Sequence, residues 1–209
     1  NISGGDNVSM EQGFLLKGLC LLAGYAFGCF LTAEIVARCL AGVGTGSIGT
    51  GSPSAANIAG HLGKPAGIAV IAGDVLKTIL ACWFCYRLAA PELEHIAVLY
   101  GGMGVVLGHA WPLWRGGHGG CITAVACTWA IIYFPVTGAL CCLAGAVAAI
   151  GMRHRALGIV LAGGLAVVVA FLQFGTQSGF GAVGIALVLM WQYRKEFLPV
   201  RYEKKEKSP

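Results

Sequence analysis

Two stretches of the chain combine glycine with side chains that can bind anions or move protons. The first, residues 42–57, is rich in glycine, serine and threonine and ends at Asn57. Glycine permits positive φ angles, so successive backbone N–H groups can converge on an anion. The hydroxyls add further donors, and a helix that follows would contribute the positive end of its dipole. The stretch therefore predicts a phosphate-binding loop, with a flexible connector as the alternative.

The second stretch, residues 108–120, sets His109, Arg115 and His118 among glycines at the mouth between two apolar segments. Histidine and arginine are natural partners of phosphate oxygens, and arginine can form two parallel hydrogen bonds to one phosphate. We therefore expect this stretch to hold a phosphate together with the first one.

Three ionisable residues, Glu34, Asp74 and Lys77, fall inside apolar segments. Each costs several kcal/mol in lipid unless it is paired or reaches water, so each is a candidate site residue. Asp74 and Lys77 stand three residues apart and share a helix face, which allows either an internal ion pair or a role in substrate binding. Glu34 can pair with Arg38 one turn later, and there a structural pair is favoured.

The composition indicates what must position these residues. The chain has 209 residues, of which 57% are hydrophobic and 11% charged, against about 45–50% and about 25% in soluble domains. So few charges cannot coat a soluble fold of this size. We therefore predict an all-α integral membrane protein, one transmembrane domain over residues 1–209. Residues 1–14 form a polar segment without the basic start of a cleavable signal, and residues 198–209 form a basic tail.

The apolar segments predict about seven transmembrane helices. A span needs about 20 apolar residues, fewer when neighbouring helices cover a short one. Residues 134–135 are Phe-Pro, where a helix must end or kink, so five or six spans are the alternative if two segments merge or one is re-entrant. The predicted spans are residues 15–38, 66–88, 94–114, 120–134, 136–152, 156–173 and 179–197.

The distribution of basic residues predicts the orientation. Most of the fourteen lysines and arginines lie in or beside residues 39–65, 115–119, 153–155 and the tail from Arg194. Basic loops stay in the cytoplasm, so the N-terminus is expected outside and the C-terminus in the cytoplasm. The tail suits anionic lipid head groups rather than nucleic acid.

The order of the motifs resembles the bacterial acyl-phosphate:glycerol-3-phosphate acyltransferases, the PlsY family. Its first loop, G-S-G-N-x-G-A-T-N-x-x-R-x-L-G-K-x-A-G, is similar to residues 49–67, and its L-D-x-L-K motif is similar to residues 74–77. Its G-H-x-F-P and G-G-K-G-V-A-T motifs are similar to residues 108–112 and 116–123. The resemblance implies seven helices with the N-terminus outside, in agreement with the distribution of charge.

The chain departs from the family pattern at several positions. The family arginine falls on Gly60, and the lysine of the G-G-K-G motif falls on His118. The later serine-rich loop has no clear counterpart near residues 134–142, and the C-terminal R-H-R-x-N-I motif corresponds only to residues 193–198, without its asparagine.

The resemblance implies a membrane acyltransferase that moves a fatty acyl group from acyl phosphate to the sn-1 hydroxyl of glycerol 3-phosphate. The product would be lysophosphatidic acid, at the first step of phospholipid biosynthesis, at the cytoplasmic face of a bacterial inner membrane. We expect no cofactor and no metal, since the cysteines lack metal-site spacing, and the oligomeric state stays open. A degenerate member that binds lipid or partners an active enzyme is one alternative, and a small transporter-like bundle is another.

The predicted site takes its residues from both stretches and from the segment between them. His109 and Asn57 are the expected catalytic residues, His109 to position substrate or take a proton. No histidine has an aspartate five residues later, which excludes the H-x-x-x-x-D chemistry of other glycerolipid acyltransferases. The expected substrate-binding residues are Gly49, Thr50, Gly51, Ser52, Ser54, Lys64, Lys77, Arg115, Gly116, Gly117, His118, Gly119 and Thr123.

Overall fold

The computed structural model describes residues 3–197, which are mainly helical and contain no β-strand. The all-α prediction is confirmed for this part of the chain, whereas the basic tail at residues 198–209 lies outside it. Within these residues the α-helices are α1 Ser3–Cys29, α2 Thr32–Ala41, α3 Ala55–Leu62, α4 Lys64–Leu93, α5 His95–Ala110, α6 Thr123–Tyr133, α7 Pro135–Gly151 and α8 Arg155–Phe197.

The helix boundaries follow the predicted segments, with three differences. The first difference is that the first segment begins earlier, at Ser3, and the second is that it is divided into α1 and α2 at residues 30–31. The expected break at residues 134–135 is present, with Pro135 as the first residue of α7, where its missing N–H costs nothing. The third difference is α3, which lies inside a predicted loop and begins where the Ser54 side chain accepts a hydrogen bond from Asn57 N.

Helix α8 is two antiparallel arms, residues 155–174 and 176–197, joined at Gly175. The backbone of Gly175 is non-helical, with φ 80° and ψ −173°. A straight helix of this length would extend about 60 Å at 1.5 Å per residue. Yet Arg155 and Glu196, near its two ends, form an ion pair of 3.0 Å. The chain therefore reverses at Gly175, as the two predicted segments in this region require.

Helices α1 and α5 pack backbone to backbone through glycine. Gly24 and Gly28 of α1 face Gly104 and Gly108 of α5, and an added Cβ atom at any of the four would meet the backbone of the opposite helix. Small residues at four-residue spacing allow this close approach in membrane bundles. The packing brings the end of α5, which carries His109, against the junction of α1 and α2.

The outer surface of the bundle is apolar. Large side chains such as Phe14, Ile150 and Leu172 are 78–80% exposed, which is the pattern expected where lipid is the solvent. Four helical stretches of the described residues are long and apolar enough to cross a bilayer: Glu11–Ala41, Lys64–Ala89, His95–Arg115 and Arg155–Arg194. Helices α6 and α7 are apolar but shorter. The count of seven spans and the outward N-terminus stay predictions.

Candidate active site

Asn57 organises the first glycine-rich loop from inside. Its Nδ2 atom donates hydrogen bonds to Ile48 O and Ser52 O, both at 2.9 Å, and its Oδ1 atom accepts one from Thr50 N at 2.9 Å. The residue is 5% exposed. The Asn57 side chain therefore folds residues 48–52 around itself, and its hydrogen-bonding capacity is largely used within the loop.

The tight path of this loop depends on glycine at two positions. Gly49 and Gly51 have φ angles of 52° and 73°, in the left-handed region. A Cβ atom on Gly49 would also press on the imidazole of His61 and lie 2.5 Å from Asn57 Oδ1. The predicted residues Gly49, Thr50 and Gly51 thus shape the loop and support Asn57.

Most of the loop amides expected to bind phosphate are bonded within the loop. Gly51 N donates to Ile48 O at 2.9 Å and Ser54 N to Ser52 O at 2.9 Å, while Ser52 N faces Thr50 Oγ1 at 3.4 Å. The first N–H groups of a helix have no intrahelical partner, and Ala55 and Ala56 open α3. Donors for an anion are therefore concentrated at the start of α3 rather than along residues 49–52.

The second loop returns along the end of α5. Gly119 N donates to Ala110 O at 3.2 Å and Gly120 N to His109 O at 3.0 Å. Cβ atoms at Gly119 and Gly120 would collide with backbone atoms of residues 109–110 and of Pro53, respectively. Glycine is required here by close approach, because it lets the second loop lie directly on His109.

Asp74, Lys77 and His109 form a buried polar cluster beneath the loops. The ammonium group of Lys77 lies 2.8 Å from Asp74 Oδ1, 2.8 Å from Phe30 O and 2.6 Å from His109 Nδ1. The three residues are at most 5% exposed, and Thr32 Oγ1 donates to Asp74 Oδ1 at 3.0 Å. The internal pairing of Asp74 with Lys77, one of two alternatives for these residues, is present.

This cluster determines which nitrogen of His109 carries the proton. A lysine ammonium group has donors and no acceptor, so His109 Nδ1 accepts and the ring hydrogen of neutral His109 lies on Nε2. His109 Nε2 is buried without a hydrogen-bond partner among the described residues. A Cβ atom on Gly120 would lie 2.7 Å from it. His109 Nε2–H thus lies directly behind Gly120, where the two loops meet, and His109 is not among the residues that line the groove described below.

The two loops meet at Gly120, as the prediction required. The same Cβ position on Gly120 would touch Pro53 O of the first loop and the imidazole of His109. Asn57 and His109 are therefore on the same side of the bundle. Asn57 supports the first loop from inside, and His109 lies behind Gly120 of the second loop.

A groove with a volume of about 850 Å³ opens beside the junction. It is lined by parts of both loops, by the start of α4, and by the first and last turns of α8. Five of the predicted binding residues line it: Ser52, Ser54, Lys64, Gly119 and Thr123. The other lining residues are Ala55, Ala56, Ala59, Gly67, Ile68, Ile71, Asp74, Gly120, Cys121, Ala124, Arg155, Gln192, Tyr193 and Glu196.

Arg115 and its neighbours lie away from the groove lining. Arg115 Nη1 is 3.9 Å from Glu34 Oε2, the oxygen that also accepts from Thr45 N and Thr45 Oγ1 at 3.0 and 2.7 Å. Glu34 pairs with Arg38 as well, at 2.9 Å, as the sequence favoured. Arg115 therefore joins the two loops behind the site, because a buried carboxylate attracts it there.

The turn after Arg115 is exposed. Gly116 and Gly117 have positive φ angles of 60° and 78°, and His118 Nδ1 lies 3.3 Å from Arg115 O. Arg115 and His118 are not among the residues that line the groove, and their expected clamp on phosphate stays a prediction. Lys77 likewise reaches the site only through His109.

Helix α8 also contributes to the site, which was not predicted from the sequence. Gln192 Oε1 accepts from Ile122 N at 3.0 Å, and Gln192 Nε2 donates to Gly120 O at 2.7 Å. Tyr193 OH lies 2.9 Å from Thr123 Oγ1 and 3.1 Å from Cys121 Sγ. The available signal was the polar pair Gln192–Tyr193 at the end of an apolar segment.

A small apolar cavity of about 50 Å³ adjoins the groove at Thr123. It lies between α6, α7 and both arms of α8, with side chains such as Trp129, Cys141, Ile159 and Ile185 around it. The groove, in which polar groups stand among apolar ones, thus borders an apolar space inside the bundle, an arrangement that suits an amphiphilic molecule.

Comparison with known proteins gives one consistent result. The family model described as glycerol-3-phosphate acyltransferase matches residues 18–200. Glycerol-3-phosphate acyltransferase 1 of Lactobacillus acidophilus is 37% identical over 112 residues, which cover 54% of this chain and 53% of that protein. The protein of the same name from Lactobacillus johnsonii is 28% identical over 179 residues, 85% of each chain.

The fold is also similar to solved structures. The crystal structure of PlsY (YgiH), an integral membrane glycerol 3-phosphate acyltransferase, in its glycerol 3-phosphate form matches with a TM-score of 0.71. The sequences are 22% identical, and the match covers 89% of this chain and 90% of that one. The lysophosphatidic acid form gives a TM-score of 0.72 at 21% identity, over 87% and 89% of the two chains.

Proposed function

Because this chain belongs to the glycerol-3-phosphate acyltransferase family, we propose that it transfers a fatty acyl group from acyl phosphate to the sn-1 hydroxyl of glycerol 3-phosphate. The products are lysophosphatidic acid and inorganic phosphate. The relatives from two Lactobacillus species carry the name of this activity, and the groove supplies a place for it in this chain.

The observation that carries the proposal is the mixed lining of the groove. Lys64, Ser52, Ser54 and the start of α3 provide cationic and hydrogen-bonding groups, while Ile68, Ile71 and several alanines provide apolar surface. A helix start with free donors favours phosphate. A volume of about 850 Å³ admits two small phosphate compounds, and the acyl chain extends towards lipid or the cavity beside Thr123.

Acyl phosphate is already an activated donor, so the protein mainly has to orient two substrates. The hydroxyl oxygen of glycerol 3-phosphate attacks the acyl carbon, negative charge develops on the carbonyl oxygen, and the bond to the phosphate oxygen breaks. His109 Nε2–H serves as a donor to that developing charge. Since this nitrogen already carries hydrogen, the hydroxyl proton passes to the leaving phosphate rather than to His109. Of the two roles expected for His109, the proposal therefore adopts the positioning one.

The roles of the remaining predicted residues follow from their contacts. Lys64, Ser52, Ser54, Gly119 and Thr123 border the substrates directly. Asn57 acts through the loop it folds, and Lys77 acts by fixing the orientation of His109. Gly49, Thr50 and Gly51 shape the first loop, while Arg115, Gly116, Gly117 and His118 shape the second.

The membrane setting of the proposal is a bacterial inner membrane with the groove at its cytoplasmic face. Seven spans place the N-terminus outside and the C-terminus inside. The segments assigned to the inner side by their basic residues are also the segments that contribute to the groove, which supports one cytoplasmic face. Acyl phosphate and membrane lipid are the proposed apolar partners.

The direct test is product formation by the purified protein. Reconstituted protein supplied with palmitoyl phosphate and labelled glycerol 3-phosphate should form labelled lysophosphatidic acid, and omission of either substrate should abolish the product. Liposomes without protein provide the blank. Product at the level of the blank, from protein that elutes as a single folded species, would instead favour a degenerate family member.

A further inference from the structure

The groove carries little uncommitted positive charge for substrates that each bear a phosphate. Among the described residues that line it, the basic side chains are Lys64 and Arg155, and the acidic ones are Asp74 and Glu196. Asp74 is paired with Lys77 behind the groove at 2.8 Å. Arg115 is directed towards Glu34, so Arg155 is the arginine best placed to meet a substrate.

Arg155 is held over the groove by Glu196. Arg155 Nη2 lies 3.0 Å from Glu196 Oε1, and the two side chains are 73% and 31% exposed. The pair exists because α8 reverses at Gly175 and brings its first turn beside its last ones. Exposed ion pairs are weak and exchange partners readily, unlike the buried pair of Asp74 and Lys77.

We infer that Arg155 binds a substrate phosphate at the rim of the groove, and that Glu196 competes with that phosphate for the guanidinium group. In the empty groove Arg155 pairs with Glu196. When substrate enters, the guanidinium group turns to the phosphate, which offers more oxygens and more negative charge than a carboxylate. Glu196 therefore weakens substrate binding while keeping Arg155 near the groove.

This inference rests on the proposed function and can fail separately from it. The phosphate bound by Arg155 belongs either to glycerol 3-phosphate or to acyl phosphate. Varying one substrate while the other is saturating gives a KM for each, and the KM that responds identifies the source.

The experiment compares Arg155→Gln and Glu196→Gln with wild-type protein in liposomes. Arg155→Gln should raise one KM about tenfold, since a charge-assisted hydrogen bond is lost, with a smaller change in kcat. Glu196→Gln should lower the same KM about twofold, since it removes a weak competitor. The double variant should resemble Arg155→Gln.

Arg153→Gln is the matched control, because Arg153 is exposed on the same turn and lies outside the groove lining. It should leave both KM values unchanged. A purely structural ion pair predicts that Arg155→Gln and Glu196→Gln change KM in the same direction. That result, or unchanged KM values in Arg155→Gln, would overturn the inference while the enzyme assignment stands. An inactive wild type would overturn both.

Discussion

Two ion pairs of similar length border the candidate site and differ in their surroundings. Asp74 and Lys77 are 2.8 Å apart with side chains 6% and 5% exposed, whereas Arg155 and Glu196 are 3.0 Å apart with side chains 73% and 31% exposed. The buried pair has no water to replace a lost partner, so it acts as a fixed framework. The exposed pair can exchange its partner for a ligand at little cost.

The buried pair supports the site, whereas the exposed pair offers a side chain to the proposed substrate. Lys77 uses its three donors on Asp74, Phe30 O and His109, and thereby fixes the ring of His109. Arg155 is bonded to a partially exposed carboxylate, and its side chain is mostly in solvent. Similar distances therefore correspond to different functions, and burial distinguishes them.

The largest effect should come from breaking the buried pair. Lys77→Met leaves Asp74 as an unpaired buried carboxylate and should lower the free energy of unfolding by about 3–5 kcal/mol. Thermal unfolding in detergent measures this. The double variant Asp74→Asn/Lys77→Met should recover part of the loss, whereas Arg155→Met should change stability by about 1 kcal/mol or less. Equal losses of unfolding free energy in Lys77→Met and Arg155→Met would contradict the distinction between the buried and the exposed pair.

The next effect concerns the donor that the buried pair orients. His109→Ala should lower kcat about 100-fold or more, the usual result of losing a donor to developing negative charge. Lys77 keeps Asp74 and Phe30 O as acceptors, so the fold should persist. Initial rates at saturating substrates test the loss, with the melting temperature as the control. A loss confined to KM would show that His109 acts only in binding.

Asn57 should have a smaller effect on the rate and a clear one on stability. Asn57→Ala removes three hydrogen bonds that fold the first loop, which together contribute about 1–3 kcal/mol. Turnover should fall about tenfold, because a displaced loop misplaces Ser52 and Ser54. Asn57→Asp should not restore activity, since it lacks the donors for Ile48 O and Ser52 O. Full activity in either variant would contradict the positioning role.

The smallest effect should come from Gln192, which holds the second loop from α8. Gln192→Leu removes two hydrogen bonds to residues 120 and 122 and should reduce kcat about threefold, with a loss of about 1 kcal/mol in stability. Val188→Ala, one turn earlier on the same arm, controls for general loosening of α8. A larger loss of turnover in the control would assign the effect to packing.

The sequence predicted the helices better than the contacts. Hydropathy located the apolar segments, and Pro135 marked the break between α6 and α7. The family resemblance also identified the two loops whose meeting forms the groove. Helix α3 was missed because it lies between glycines in a polar stretch, and its signal, Ser54 three residues before Asn57, was attributed to phosphate binding instead.

The functions of single residues were harder to predict, because sequence spacing does not show which hydrogen-bond partners a side chain has in the folded protein. Arg115 was expected at a phosphate, and the structure places its guanidinium group 3.9 Å from the buried carboxylate of Glu34. Arg155 was not expected at the site, because its distance from Glu196 depends on the reversal of α8 at Gly175. Such contacts arise from the packing of helices that are far apart in the chain.

The most direct test of the whole account is growth of a bacterial strain whose own acyl-phosphate-dependent glycerol-3-phosphate acyltransferase can be switched off. Expression of the wild-type chain should restore growth and lysophosphatidic acid synthesis, while His109→Ala present at the same membrane level should restore neither. Growth with both chains would contradict the role of His109, and failure of the wild-type chain at a matched membrane level would contradict the acyltransferase assignment.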